Sequence, residues 1–204
     1  MSKKQSENKD SFTAECSRKT KETDVRVKLN IQGQGNTCID TAMGYVDHML
    51  TLMAFWAGFD LDMQVKGDLE VDAHHSLEDA GLCLGDALAG IVSARKDISR
   101  VGWAKVPMDE ALSEVTLDIS GRPYLVYSDQ ILPAMIFNQE KDIWREFFKS
   151  FSNRAGINLH INFLYGLNGH HLLESAFKAT GLALKQALSS TEREVFSTKG
   201  HLDY

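Results

Sequence analysis

Cysteine is scarce in this chain. Cys16, Cys38 and Cys83 are the only three among 204 residues, and no two form a CxxC pair. An odd, scattered count excludes a disulfide framework and fits reduced thiols in a cytosolic protein. Net positive charge is also lacking: 22 Lys and Arg against 28 Asp and Glu leave a formal charge of −6. General nucleic-acid binders usually present a net basic face, so that class is set aside. A small anionic substrate stays open, because a basic pocket can sit in an acidic protein. No apolar run reaches the roughly 18 residues a membrane span needs. The opening MSKKQSENKDSFTAE lacks an apolar signal core, and residues 1–14 read as a frayed tail. Without an HExxH motif, a zincin protease is not suggested.

What is present is an ordinary globular composition, 43% hydrophobic and 25% charged, able to bury a core without staples. TDVRVKLNIQGQG (23–35) alternates apolar and polar residues and then turns at glycines, the pattern of a half-buried strand entering a hairpin. NTCIDTAM (36–43) is the expected partner strand. Apolar residues crowd at helical spacing from Tyr45 to Ala57, which places DHML near the start of a buried helix. FDLDMQVKG (59–67) alternates again as a strand, and SLEDAGLCLGDALAGIVSAR (76–95) follows as an amphipathic helix.

The second half runs in the same order. VTLDISGRPYLVYSDQ (115–130) reads as strand, turn and strand, IWREFFKSFSNRAG (143–156) as a helix, INLHINFLYG (157–166) as a strand and LLESAFKATGLALKQAL (172–188) as a helix. AGFDLDM (57–63) aligns with AGINLHI (155–161), and HHSLEDAGLCLGDAL (74–88) with HHLLESAFKATGLAL (170–184). The expected fold is therefore α+β, an internally duplicated β-β-α-β-α half with pseudo-twofold symmetry. Each half is expected to be a four-stranded sheet covered by two helices. The halves are taken as 15–105 and 106–200, forming one catalytic domain, with a short tail at 201–204.

Histidine carries the chemistry. VDAHHSLED holds His74, His75 and Glu78, and NGHHLLESA holds His170, His171 and Glu174. If each HH pair opens a helix, the first histidine and the glutamate are four apart and the second histidine three apart, able to share a face. Adjacent residues point in different directions, so each pair more naturally serves two ions than one. His48 of DHML and His160 of NLHI add one further histidine per half, each on a different element. Six histidines and two glutamates divide into two sites of three His and one Glu. Octahedral coordination then leaves two positions per metal for substrate or water. Imidazole and carboxylate without thiolate suit Mn, Fe, Co, Ni or Zn.

The markers SRKTKET, DHML, KGDLEVDAHHSLEDAGLCLGDAL, PMDEAL, DISGRPYL, NLHI, GHHLLESAFKA and STKG appear in order from about residue 16 to 200. In this the chain resembles the imidazoleglycerol-phosphate dehydratase family. The resemblance implies a cytoplasmic enzyme of histidine biosynthesis that converts D-erythro-imidazoleglycerol phosphate to imidazole-acetol phosphate and water. It implies two Mn²⁺ ions per active site, acting as Lewis acid and template on the substrate's imidazolate. It also implies a cage of 24 subunits, with active sites between subunits and neither nucleic acid nor membrane as partner. Carried over from the family, Glu22 of TKET is the acid/base residue, and Arg100, Arg122, Lys178, Ser197 and Lys199 bind the phosphate. Asp109 and Glu110 of PMDEAL are left out of the ligands and read as residues that support the ligands or the structure. The chain departs from many members at Leu52, Trp56, Ala73, Gly169 and Leu172, which bears on substrate binding and on the orientation of the histidines. No DxDxT motif of a fused phosphatase occurs. Two other readings of such a metal set are a dinuclear phosphoesterase and a metal-storage or structural cage.

Overall fold

The computed structural model describes residues 12–95 and 97–192. The alternation in β2 (Thr23–Asn30) buries Val25, Val27 and Leu29 and turns Arg26 and Lys28 outward, as a period of two requires. β2 lies between β1 (Thr13–Lys19) and β4 (Asp60–Gly67) and is antiparallel to both. β3 (Thr37–Asp40) joins the far side of β4 in parallel, so the strand order is β1-β2-β4-β3. The second sheet repeats this as β5-β6-β10-β7, from β5 (Val101–Met108), β6 (Ala111–Ile119), β7 (Tyr124–Ser128) and β10 (Ile157–Tyr165). A small hairpin of β8 (Met135–Ile136) and β9 (Gln139–Glu140) interrupts only the second half.

The duplicated α+β architecture with two four-stranded sheets is thus present, but four expectations need correcting. β2 and β3 are not hairpin partners, because β4 is inserted between them. The hairpin that β2 does make is with β1, which begins at Thr13, so the expected tail of residues 1–14 overruns the first strand by two. The string β-β-α-β-α missed β1 and β5, which supply the fourth strand of each sheet. The expected boundary after residue 105 also falls inside β5, whose full register with β6 assigns it to the second half.

Four helices form the layer that both buried sheet faces cover: α1 (Gly44–Ala57), α2 (His74–Ser93), α3 (Asp142–Ala155) and α4 (Gly169–Ala187). α2 lies on β1 and β2, and α4 on β5 and β6, yet the main helix contacts cross between halves: α2 packs on α3 and α1 on α4. Gly85 and Gly181 are equivalent positions in the repeat, and both mark a close helix crossing. A Cβ on Gly85 would lie 2.7 Å from the Phe151 carbonyl oxygen, and one on Gly181 2.4 Å from that of Met53. The α3 stripe of Trp144, Phe147, Phe148 and Phe151 fills the space above Phe177 of α4.

Buried Arg95 ties the end of the first half to the end of the second. Its guanidinium donates to the Leu188 carbonyl at 3.1 Å, to Ser190 Oγ at 2.9 Å and to Asp97, and it lies over the Phe12 ring. The thiols of Cys16 and Cys83 are free and in contact at 3.2 Å. Burial pushes the Cys83 thiol well above its usual range. Among the described residues no helix is long and apolar enough to cross a membrane.

Candidate metal centre

The crossing of α1 and α4 brings three of the expected ligands together. α4 starts at Asn168, whose side chain accepts from the His170 N–H at 2.9 Å and fixes the first turn. One turn further on, Glu174 falls on the face of His170. The start of α1 is set by Asp47, which accepts from the backbone N–H and hydroxyl of Thr41 at 2.9 and 2.7 Å. His48 then points across the crossing. Its Nε2 lies 2.8 Å from Glu174 Oε1, and His170 Nε2 lies 2.9 Å from the same oxygen.

Ligand atoms of His48, His170 and Glu174 all lie within 4.8 Å of one another. Two imidazoles and a carboxylate at that spacing could supply three donors to an N/O metal site. The other oxygen of Glu174 accepts from Lys178 Nζ at 2.8 Å. Burial works to raise the Glu174 carboxyl, but Lys178, His48 and His170 together bring it down to about 2. The carboxylate is therefore ionised and only 7% exposed, the state a cation requires. The Phe137 ring closes one side, 4.9 Å from His170.

The first HH pair occupies the equivalent helix start, α2. Asp72 accepts from the His74 N–H at 2.7 Å as Asn168 does for His170. Here the corner is more open. His74 Nε2 and Glu78 Oε2 are 3.9 Å apart and both are partly exposed. The repeat puts Glu146 at the place of His48, and Glu146 pairs with Lys149 instead. The two rings of each HH pair are nearly perpendicular, at 86° for His74 and His75 and 82° for His170 and His171, so they face separate directions.

The second histidine of each pair is held from behind. His75 Nδ1 donates to Asp68, 3.1 Å away, and His171 Nδ1 to Glu110 at 2.7 Å. Hydrogen bonding to Asp68 raises the His75 imidazole above its ordinary range, and Glu110 does the same for His171. Glu110 itself is held down to about 2 by that bond and by the backbone N–H of Asn168. Such partners fix the tautomer and leave Nε2 of each ring without that bond. Sequence reasoning did not name Asp68 and read Glu110 only as a supporting or structural residue; a carboxylate in each turn facing an HH pair was the available signal. These two supply the orienting carboxylates that Ala73 and Gly169 do not.

The remaining expected residues are dispersed. Glu22 stands in the β1–β2 turn, 3.9 Å from His75 Nδ1, and α2 pins that turn: Asp79 accepts from Thr23 Oγ1 and, at 2.6 Å, from Arg18. His160 alternates with the buried residues of β10 and so lies on the outer face of the second sheet, with Nε2 2.9 Å from Asn158 Oδ1. That face points away from the helix layer that carries the other histidines. Arg100, at φ +71, holds Asp118 with two hydrogen bonds of 2.6 and 2.9 Å beside the same face. Arg122 follows Gly121 in the turn between β6 and β7. Lys178 is engaged with Glu174, as above. Ser197 and Lys199 lie outside the described residues. One chain therefore gathers three of the eight expected ligands, and the others sit on separate surfaces.

A duplicated α+β scaffold that places paired histidines and a glutamate at helix starts defines a class of proteins built around His/carboxylate metal sites. Comparison with known proteins narrows that class. The family model described as imidazoleglycerol-phosphate dehydratase matches residues 41–184, and the chain belongs to this family. It is 62% identical over 191 residues to the imidazoleglycerol-phosphate dehydratase of Maridesulfovibrio salexigens, covering 94% of this chain and 98% of that protein. Identity to the Oleidesulfovibrio alaskensis protein of the same name is 59%, covering 93% and 97%. Among solved structures, the Pyrococcus furiosus enzyme superposes with a TM-score of 0.80 at 38% identity, covering 91% of this chain and 99% of that one. The Staphylococcus aureus enzyme gives 0.79 at 32% identity, covering 88% and 99%.

Proposed function

We propose that this chain is a cytoplasmic, metal-dependent hydro-lyase of histidine biosynthesis that converts D-erythro-imidazoleglycerol phosphate to imidazole-acetol phosphate and water. The observation that carries the reading is the convergence of His48, His170 and Glu174 in a member of this family. Two Mn²⁺ ions per active site would be held by His48, His74, His75, Glu78, His160, His170, His171 and Glu174. The donor set fits: imidazole nitrogens and ionised carboxylates suit such a cation, and the Nδ1 bonds of His75 and His171 leave Nε2 to ligate. When bound, the ions supply Lewis-acid polarisation and a template for the substrate's imidazole ring.

The chain's own groups do the rest. Glu22 Oε is the proton acceptor and donor at the side-chain carbons, held at the site mouth by the Asp79-pinned turn. Arg100, Arg122, Lys178, Ser197 and Lys199 bind the phosphate dianion, and the paired donors of Arg100 suit its oxygens. Phosphate then competes with Asp118 for Arg100 and with Glu174 for Lys178. His160 sits on an outer sheet face whose neighbours Trp103 and Tyr124 are 62% and 63% exposed, a surface suited to burial against another copy. The active site is completed between subunits on this reading, in a cage of 24.

Turnover of imidazoleglycerol phosphate by chelator-stripped protein, with and without added Mn²⁺, tests the proposal. Product that forms only with metal is expected. Bound ions with no product under any metal would leave the family fold and remove the reaction.

A further inference from the structure

The two halves of the repeat orient their second histidines with carboxylates from different places. The register shows how. Val25 of β2 lies opposite Val65, and Ser113 of β6 lies opposite Phe163, with 65 and 163 equivalent in the repeat. Counting back three residues makes Glu22 and Glu110 counterparts. Each stands just before the strand, in the hairpin turn that faces its HH pair. Their distances to the equivalent Nδ1 atoms nonetheless differ, 2.7 Å for Glu110 to His171 and 3.9 Å for Glu22 to His75.

The segment between strand and helix explains the difference. In the first half it is residues 68–73, Asp-Leu-Glu-Val-Asp-Ala, and Asp68 occupies His75 Nδ1 with both oxygens, at 3.1 and 3.2 Å. In the second half it is residues 166–168, Gly-Leu-Asn, followed by Gly169 at the helix start, with no carboxylate at all. His171 has to take its partner from the hairpin turn, and that turn offers Glu110. A neutral imidazole has one N–H, so one acceptor satisfies it.

We infer that Asp68 and Glu110 are the positioning residues of His75 and His171, and that Asp68, by occupying His75, keeps the Glu22 carboxylate free to move protons. Glu110 is the same hairpin glutamate spent on orientation. The inference rests on the proposed dehydratase reading for the role of Glu22, whereas the positioning of the two histidines stands apart from it.

The test uses the assembled Mn²⁺ enzyme and four variants, Asp68→Ala, Asp68→Asn, Glu110→Ala and Glu22→Gln. Mn²⁺ affinity is read by chelator competition, and kcat and KM are read at saturating Mn²⁺. Asp68→Ala and Glu110→Ala each weaken Mn²⁺ binding by about 10–100-fold, the usual cost of losing a ligand's hydrogen-bond partner. Glu22→Gln lowers kcat by about 10²–10⁴-fold without that change in affinity. The distinguishing variant is Asp68→Ala, whose kcat stays low even when metal is saturating, because Glu22 swings to the vacated Nδ1. Asp68→Asn keeps an acceptor for that N–H and restores kcat. Unchanged Mn²⁺ affinity in Asp68→Ala and Glu110→Ala would overturn the positioning roles. Full recovery of kcat in Asp68→Ala at saturating Mn²⁺ would overturn the link to Glu22. A wild-type enzyme that binds Mn²⁺ but makes no product would remove the dehydratase reading while the affinity comparison still decides the positioning roles.

Discussion

The α1/α4 corner and the α2/α3 corner occupy equivalent places in the repeat and differ in what they can hold. At the first, two histidine Nε2 atoms reach one oxygen of Glu174 within 2.9 Å, while Lys178 takes the other oxygen. At the second, His74 and Glu78 stand 3.9 Å apart, Glu146 replaces the crossing histidine, and Leu82 stands where Lys178 would be. A duplicated scaffold thus sets where ligands stand but not how many meet. One exchange on α1 against α3 brings three donors together at one corner, and its absence leaves two at the other.

Copying one corner onto the other is the most severe way to probe this contrast. His48→Glu gives the α1/α4 corner the residue of its counterpart and sets a second carboxylate beside Glu174. Turnover is expected to fall to the level of the metal-free enzyme, with Mn²⁺ lost in equilibrium dialysis. Retained Mn²⁺ and activity would mean that the two corners are interchangeable. A smaller effect is expected at the helix crossings. Gly181→Ala and Gly85→Ala both insert a methyl against backbone and should each destabilise by about 1–3 kcal/mol, lowering the thermal midpoint. Gly181→Ala should cost more, since its new Cβ meets a carbonyl oxygen at 2.4 Å against 2.7 Å for Gly85.

The clamp between the halves adds a pH signature. Hydrogen bonding from Arg95 lowers the Asp97 carboxyl below the usual carboxylate range. A depressed pKa contributes stability above the unfolded value and loses it as pH falls through the folded one. Denaturation followed below about pH 4 should therefore show a shallower acid limb in Asp97→Asn than in the wild type. The smallest effect belongs to Arg154, which pairs with Asp86 at 2.7 Å across α3 and α2 on the surface. Arg154→Ala should change stability by no more than about 1 kcal/mol. A larger loss would mark that crossing as more dependent on charge than the one at Gly181.

Much of this was legible in the residues. The repeat gave the order of the helices and most strands, because the periods of two and 3.6 are clear in β2, β4, α2, α3 and α4, and α1 is apolar along its length. β1 and β5 were lost for a specific reason. β1 is an edge strand with no fully buried position, and β5 buries Gly102, Ala104 and Val106 while exposing Val101 and Trp103, so neither shows its alternation in the residues. The false hairpin of β2 with β3 came from judging pairing by proximity in sequence, which cannot reveal a strand inserted from further along. The ligand types were visible in HHxxE, but the meeting of His48 with Glu174 spans 126 residues and depends on α1 pairing with α4 rather than with its sequence neighbour α2. Asp68 was hidden because three acids crowd residues 68–72, and only the geometry distinguishes the one that reaches Nδ1.

The crossed pairing of the helices bears on the ancestry of the chain. A polypeptide of half this length would carry two helices whose main contact faces belong to the other half, and it would leave them bare to water. Two copies of such a half, related by a twofold axis, would cover one another as α1 covers α4 and α2 covers α3 here. The present molecule is in that sense a dimer made permanent by one peptide connection. Joining the copies released each from identity with the other, and so allowed position 48 to become histidine while position 146 became glutamate.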